Sequence, residues 1–278
     1  MSVLLSLGHG YSARALAPLL RDRGWRVIGT SRDPDRRAQP GVEMRRFPGD
    51  DLAADLAAAT HILCSAAPDA AGDPMLRALE PEIAAGQFKW IGYLSTTGVY
   101  GDHGGAWVDE DTALRPSTRR GAWRVEAEAA WAALTRPAHI FRLAGIYGPG
   151  RGPFAKVRDG SARRIIKPGQ VFSRIHVEDI AQVLLASIER PSPGRVYNVC
   201  DNDPAPPQDV IGHAAELLGL PLPPEEPFET AEMSSMARSF YGESKRVRNT
   251  RIREELGVTL RYPSYRDGLR DLLAREEK

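Results

Sequence analysis

Val3-Leu4-Leu5-Ser6-Leu7-Gly8-His9-Gly10-Tyr11-Ser12-Ala13 decides how this chain is read. A short, mostly apolar run leads without a linker into Gly-x-Gly-x-x-Ala. Leu16, Ala17 and Leu20 then follow Ala13 at the i, i+3, i+4, i+7 spacing of one helix face. Gly24 stands where a helix should end, and Trp25-Arg26-Val27-Ile28 reads as the next strand. Strand, glycine turn, helix, strand is the context in which this motif holds a dinucleotide. Gly8 permits the tight turn, Gly10 leaves room for a pyrophosphate, and Ala13 lets the helix lie close to the strand. Backbone N–H groups at Tyr11, Ser12 and Ala13 open the helix and face the phosphates.

The end of the second strand selects the dinucleotide. NAD sites usually carry a carboxylate about 20 residues past the first glycine, on the ribose 2′-hydroxyl. This strand ends instead in Thr30-Ser31-Arg32. The Ser31 hydroxyl and Arg32 guanidinium suit a 2′-phosphate, which a carboxylate would repel. Arg36 and Arg37 add positive charge nearby. NADP is the expected cofactor, and Asp33 keeps NAD as the alternative.

Composition narrows the class. The 278 residues allow one large domain, or a main domain with a smaller lobe. With 37 Lys+Arg against 36 Asp+Glu, bulk charge points to neither nucleic acid nor an acidic membrane surface. No apolar run reaches transmembrane length. Cys64 and Cys200 are far apart in strand-like runs and read as reduced core thiols, which fits a cytoplasmic protein. The six histidines show no zinc-ligand spacing, so no metal is expected.

Strand and helix patterns alternate to about residue 147. Residues 42–47, 60–64, 90–94 and 138–143 read as further strands. A helix between the last two carries Trp123, Ala127, Ala130, Trp131 and Leu134 on one face. Another helix is marked by Ile180, Val183, Leu184 and Ile188, and a later strand by residues 196–200. This order predicts an α/β fold, a doubly wound parallel sheet of Rossmann type, with a smaller C-terminal substrate lobe. The dinucleotide-binding domain is placed at residues 1–150 and 176–202, the smaller lobe at 151–175 and 203–278.

Further motifs carry a family resemblance. These are Asp50-Asp51-Leu52, Ser65-Ala66-Ala67-Pro68, Tyr93-Leu94-Ser95-Thr96-Thr97-Gly98-Val99-Tyr100-Gly101, Arg142-Leu143-Ala144-Gly145-Ile146-Tyr147-Gly148-Pro149-Gly150 and Ile175-His176-Val177-Glu178-Asp179. With the glycine turn, they make the chain similar to the extended short-chain dehydrogenase/reductases, in the epimerase/dehydratase branch. The C-terminal part resembles a bacterial subgroup. The resemblance implies that Asp51 contacts the adenine amino group, and that the cofactor lies against Ala66, Ala67 and Pro68. It also implies that Thr96 hydrogen-bonds the reacting hydroxyl or carbonyl. Arg142 and Tyr147, just past a strand's carboxyl end, are expected to bind substrate, as are Arg151 and Arg174. Arg151, Lys156, Arg163, Arg164 and Arg174 favour an anionic substrate, such as a nucleotide-linked sugar. A monomer or homodimer is expected.

The chain departs from the family at its proton relay. The family carries Tyr-x-x-x-Lys at a helix start; here Arg120 and Arg124 stand in those places, one helical turn apart. The chain is read as lacking the pair. A guanidinium neither gives nor takes a proton usefully near neutral pH, so Arg120 becomes a clamp for a carboxylate or phosphate. Pairing of Arg124 with Glu128 at i+4 on a solvated face is the alternative. The expected function is an atypical NAD(P)-dependent oxidoreductase or epimerase. A catalytically silent NADP(H)-binding protein or redox sensor is the alternative.

Overall fold

The computed structural model describes residues 1–276. Its first half runs β1 (Val3–Leu7), α1 (Tyr11–Arg21), β2 (Arg26–Ser31), β3 (Glu43–Arg46), α2 (Ala53–Ala58), β4 (His61–Cys64), α3 (Pro74–Ala85), β5 (Trp90–Thr96), β6 (Trp107–Val108), α4 (Arg119–Ala132) and β7 (His139–Leu143). The second half runs β8 (Gly145–Tyr147), α5 (Phe154–Arg158), β9 (Arg164–Ile166), β10 (Arg174–His176), α6 (Val177–Glu189), β11 (Val196–Val199), α7 (Pro207–Leu217), β12 (Glu225–Pro227), α8 (Ser235–Phe240), β13 (Arg246–Val247), α9 (Thr250–Glu254) and α10 (Tyr265–Glu276).

Seven strands form one parallel sheet in the order β11-β7-β5-β4-β1-β2-β3. This is the doubly wound α/β arrangement the alternating pattern predicts. The chain leaves β1 toward β2 and β3, then returns to β4 on the other side of β1. The carboxyl ends of β1 and β4 therefore flank the topological switch point, where open α/β sheets bind ligands. All residues of β1 and of β4 are buried, as expected of central strands covered on both faces. Leu4, Val27, Leu63 and Phe141 pack on one face with α1 and α6; Leu5, Ile28, Ile62 and Ile140 pack on the other with α2, α3 and α4. The edge strand β3 has no fully buried residue and carries charge, with Glu43 bound to Arg26 at 2.7 Å.

A third cluster joins Tyr147, Phe154, Ala214, Tyr265 and Leu269 from α5, α7, α10 and the end of β8. The face expected of α4 needs correction: Ala130 is exposed, and Glu128 is buried in its place beside Ala127 and Trp131. No described helix is long and apolar enough to cross a membrane.

Candidate active site

The glycine turn is tied to both neighbouring strands. Gly8 has φ +82°, and a Cβ there would lie 3.0 Å from the Ala66 nitrogen, so the position demands glycine. Its N–H donates to Thr30 Oγ1 at 2.8 Å, and the Ser65 hydroxyl donates to its carbonyl. Thr30, read as part of the ribose end, is thus spent inside the turn. Gly10 opens α1 at φ −92°, with no side chain capping the helix. A Cβ on Gly10 would meet nothing closer than 3.8 Å. An uncapped helix start above an empty cradle fits a dinucleotide pyrophosphate. Ser12 and Ala13 are buried under it. Tyr11 donates its hydroxyl to the Pro149 carbonyl at 3.0 Å, with the Arg151 guanidinium 5.7 Å from its ring centre. The turn and the 148–151 loop therefore form one wall.

His9 was not singled out from sequence. It is buried between Ser6 Oγ (3.2 Å) and Gln39 Oε1 (2.9 Å), and burial pushes its pKa down. Gly29 makes room for it, since a Cβ there would sit 2.6 Å from the imidazole. A glycine in a central strand was the readable signal.

At the end of β2, Ser31 exchanges hydrogen bonds of 3.1 Å with the Asp33 backbone. The Asp33 carboxylate accepts from the Arg36 N–H at 3.2 Å. Arg32 is exposed, and Arg46 Nη1 reaches its carbonyl at 2.9 Å. Arg46 is a second cation at this corner, which only the β2–β3 pairing brings there. Asp51 is exposed and caps its own turn through the Ala53 N–H at 2.9 Å.

β5 ends in Thr96, whose Oγ1 accepts the Gly98 N–H at 3.1 Å. The hydroxyl proton remains free to be donated. Arg124 is drawn back onto the sheet: Nη1 donates to the Leu94 carbonyl at 2.6 Å and the Tyr93 hydroxyl at 2.9 Å. It also lies 3.5 Å from the Ala66 carbonyl, which places it beside the Ala66-Ala67-Pro68 segment. Arg120 is exposed one turn earlier on α4. The alternative pairing of Arg124 with Glu128 does not form.

Glu128 is taken by Arg142. The two are bonded at 2.8 Å with side chains 7% and 6% exposed, and Ser95 donates to the same carboxylate at 2.5 Å. Arg142 also donates to the Tyr100 hydroxyl at 2.9 Å. Its guanidinium is used up inside the fold. Tyr147 is buried, with its hydroxyl on the Ser264 carbonyl at 3.3 Å. Arg174 donates to the Phe172 and Ala205 carbonyls, each at 2.9 Å. The expected basic cluster is divided: Arg163 pairs with Glu226 (2.7 Å) and Arg164 with Glu225 (2.6 Å), while Arg151 stays at the glycine turn.

The nearby phenols Tyr93, Tyr100 and Tyr147 are all buried. Burial raises the pKa of Tyr93, Tyr147 and Tyr100, the last to about 12. Contrary to the sequence reading, a Tyr-x-x-x-Lys spacing does occur, at Tyr241 and Lys245. It lies past α8 rather than on α4. The Tyr241 ring stacks on Phe228 at 5.2 Å, and Lys245 Nζ binds the Gly101 carbonyl (2.7 Å) and Glu243 (2.6 Å).

The parallel sheet with its open glycine turn defines an α/β protein of Rossmann type. No family model matches the chain. It is 30% identical to Protein YeeZ of Escherichia coli, over 95% of this chain and 97% of that one. A functionally unknown conserved protein from Silicibacter pomeroyi is 60% identical over the full length of both, with a TM-score of 0.94. A provisional NAD-dependent epimerase/dehydratase from Methylobacillus flagellatus is 26% identical, with a TM-score of 0.76 over 100% of this chain and 99% of that one. UDP-glucuronic acid 4-epimerase of Bacillus cereus, solved with NAD, shares the fold at 16% identity and a TM-score of 0.78 over both full chains. The chain belongs to the extended short-chain dehydrogenase/reductase family of NAD-dependent epimerase/dehydratases, among its YeeZ-like members.

Proposed function

We propose that the chain is an NADP(H)-dependent oxidoreductase acting on a hydroxyl or carbonyl group of an anionic small molecule. The observation that carries this reading is the uncapped α1 start over the empty Gly10 position, at the switch point of the sheet. Gly8, Gly10, Tyr11, Ser12 and Ala13 would hold the pyrophosphate, and Ser31, Arg32 and Arg46 the 2′-phosphate. The Ala66-Ala67-Pro68 segment and the remaining donors of Arg124 would bound the nicotinamide half. A nicotinamide supplies hydride exchange; the protein orients it. Thr96, its oxygen already accepting from Gly98, donates a hydrogen bond to the substrate oxygen, and water exchanges the proton. Arg120, exposed in the first turn of α4, would fix the anionic part of the substrate. An extended sugar nucleotide is one such substrate.

A second reading is favoured by one observation: Arg120 replaces the proton-relay tyrosine, which suits a silent NADP(H)-binding protein or redox sensor. One experiment separates the two. NADPH oxidation is followed on a panel of ketones and aldehydes, for wild type, Arg120→Tyr/Arg124→Lys, and that pair with Thr96→Ala. The enzyme reading expects a gain of about 100-fold or more in the double variant, removed by Thr96→Ala. No turnover in any of them, with NADPH still protecting the wild type from protease, would transfer the case to the sensor.

A further inference from the structure

A second cavity lies away from the glycine turn. It opens beside the carboxyl end of β11, the outermost strand, with three strands between it and β1. At a strand spacing of about 4.8 Å, that is roughly 19 Å across the sheet. Its volume is about 350 Å³, and its walls include Trp107, Asp201, Asn202, Arg248, Asn249 and Arg253. Such a volume is in the lower range of small-molecule sites, roughly 300–1,000 Å³.

The lining is chemically incomplete. Asp201 is 1% exposed, yet its Oδ2 has no hydrogen-bond partner; Oδ1 accepts the Asp203 N–H at 3.2 Å. Burial pushes the pKa of this carboxyl well up. Arg251 is taken by Asp111 at 2.5 Å, but no carboxylate among the described residues pairs with Arg248 or Arg253. The Arg248 guanidinium lies 4.9 Å from the Trp107 ring centre, and Trp107 remains 47% exposed, unusual for a large aromatic residue. Asn249 keeps the wall rigid, donating to the Cys200 carbonyl and Asn202 Oδ1 at 2.8 Å each.

We infer that this cavity binds an aryl carboxylate: a flat ring on the Trp107 indole, its carboxylate on Arg253 and Arg248. Two unpaired guanidiniums select an anion, and an exposed indole selects a flat apolar body. A cationic ligand would face the same two charges unfavourably.

The test uses the full chain without nucleotide, so it does not depend on cofactor binding. Benzoate and 4-hydroxycinnamate are titrated by calorimetry, with benzamide and cyclohexanecarboxylate as controls. Saturable binding is expected, with benzoate at least about tenfold tighter than either control, within reach of one charge-assisted contact. Arg253→Gln and Trp107→Ala should each weaken 4-hydroxycinnamate by about tenfold, while Trp107→Phe keeps binding within about threefold. Melting curves confirm that each variant folds. No saturable binding, equal affinity for benzoate and benzamide, or unchanged binding in both folded variants overturns the inference.

Discussion

The preference between NADPH and NADH rests on one corner of the fold, and Arg32→Ala with Arg46→Ala tests it. Arg32 is exposed and Arg46 is anchored to its carbonyl at 2.9 Å, so two cations flank the end of β2. Of the nearby carboxylates, Asp33 is turned to the Arg36 N–H and Asp50 accepts the Arg46 backbone N–H at 2.8 Å, which leaves both guanidinium groups without a carboxylate partner among the described residues. A unit charge pair at 4 Å is worth about 1 kcal/mol in bulk water and about 4 kcal/mol at an effective dielectric near 20. An exposed corner lies near the lower end, so two cations should give NADPH an advantage of about 1.4 kcal/mol, or tenfold. Quenching of tryptophan fluorescence, or calorimetry, measures both affinities. The double variant should bring the ratio below about threefold by weakening NADPH alone, and the wild-type ratio should fall as salt rises toward 1 M. Equal affinities in the wild type, or a ratio indifferent to both substitutions, would refute the reasoning and return the ribose to Asp33.

Gly10→Val should abolish dinucleotide binding with little loss of stability, because the position has ordinary φ (−92°) and an empty surround; calorimetry and a melting curve read the two effects. Glu128→Ala should destabilise the fold by about 3–5 kcal/mol in denaturant unfolding, since it strands Arg142 in a buried site. Acid should weaken the fold before the carboxylates titrate. Burial holds His61 and His176 at about 4, below their ordinary 6.5. Between those values the unfolded chain binds protons that the native chain refuses, so stability is full above 6.5 and falls toward pH 4. Each histidine adds a slope of about 1.4 kcal/mol per pH unit. His176→Asn should flatten that slope in urea unfolding followed from pH 7 to pH 5; an unchanged slope would show that His176 is not its source.

The glycine turn was readable because everything that makes it is local: an apolar strand, two glycines and a helix face within a few residues of each other. Arg142 was misread because its partner is not local. It stands near the carboxyl end of β7, where ligands gather, but its side chain shares the α4 face with Ile140, where Glu128 takes it. A signal existed. Glu128 shares a helix face with Trp131, and a carboxylate turned inward requires a buried cation. Arg46 was invisible for the same reason, since only the register of β3 on β2 sets it beside Arg32. The Arg248–Trp107 cavity wall also depends on pairing, here of two-residue strands 139 residues apart in β6 and β13, too short for any periodicity to reveal.

The replacement of the relay pair changes what kind of catalysis the crevice can perform. A lysine at position 124 would be a point charge; the guanidinium binds Leu94 and Tyr93 through one nitrogen and keeps its other donors. A guanidinium such as that of Arg120 can stabilise a developing oxyanion but is no proton donor to it. Thr96 can orient that oxygen through a hydrogen bond, its own oxygen accepting the Gly98 N–H. Turnover by the wild type should therefore be slow and flat from about pH 6 to pH 9, because guanidinium and aliphatic hydroxyl side chains are poor proton relays in that range. The measurement is kcat/KM for NADPH oxidation across that range, on the best carbonyl substrate of the panel. Arg120→Tyr/Arg124→Lys should introduce a pH limb where the wild type has none. A wild-type profile bending on an activated phenol would place a tyrosine in the crevice, and Tyr241 would be the first to replace with phenylalanine.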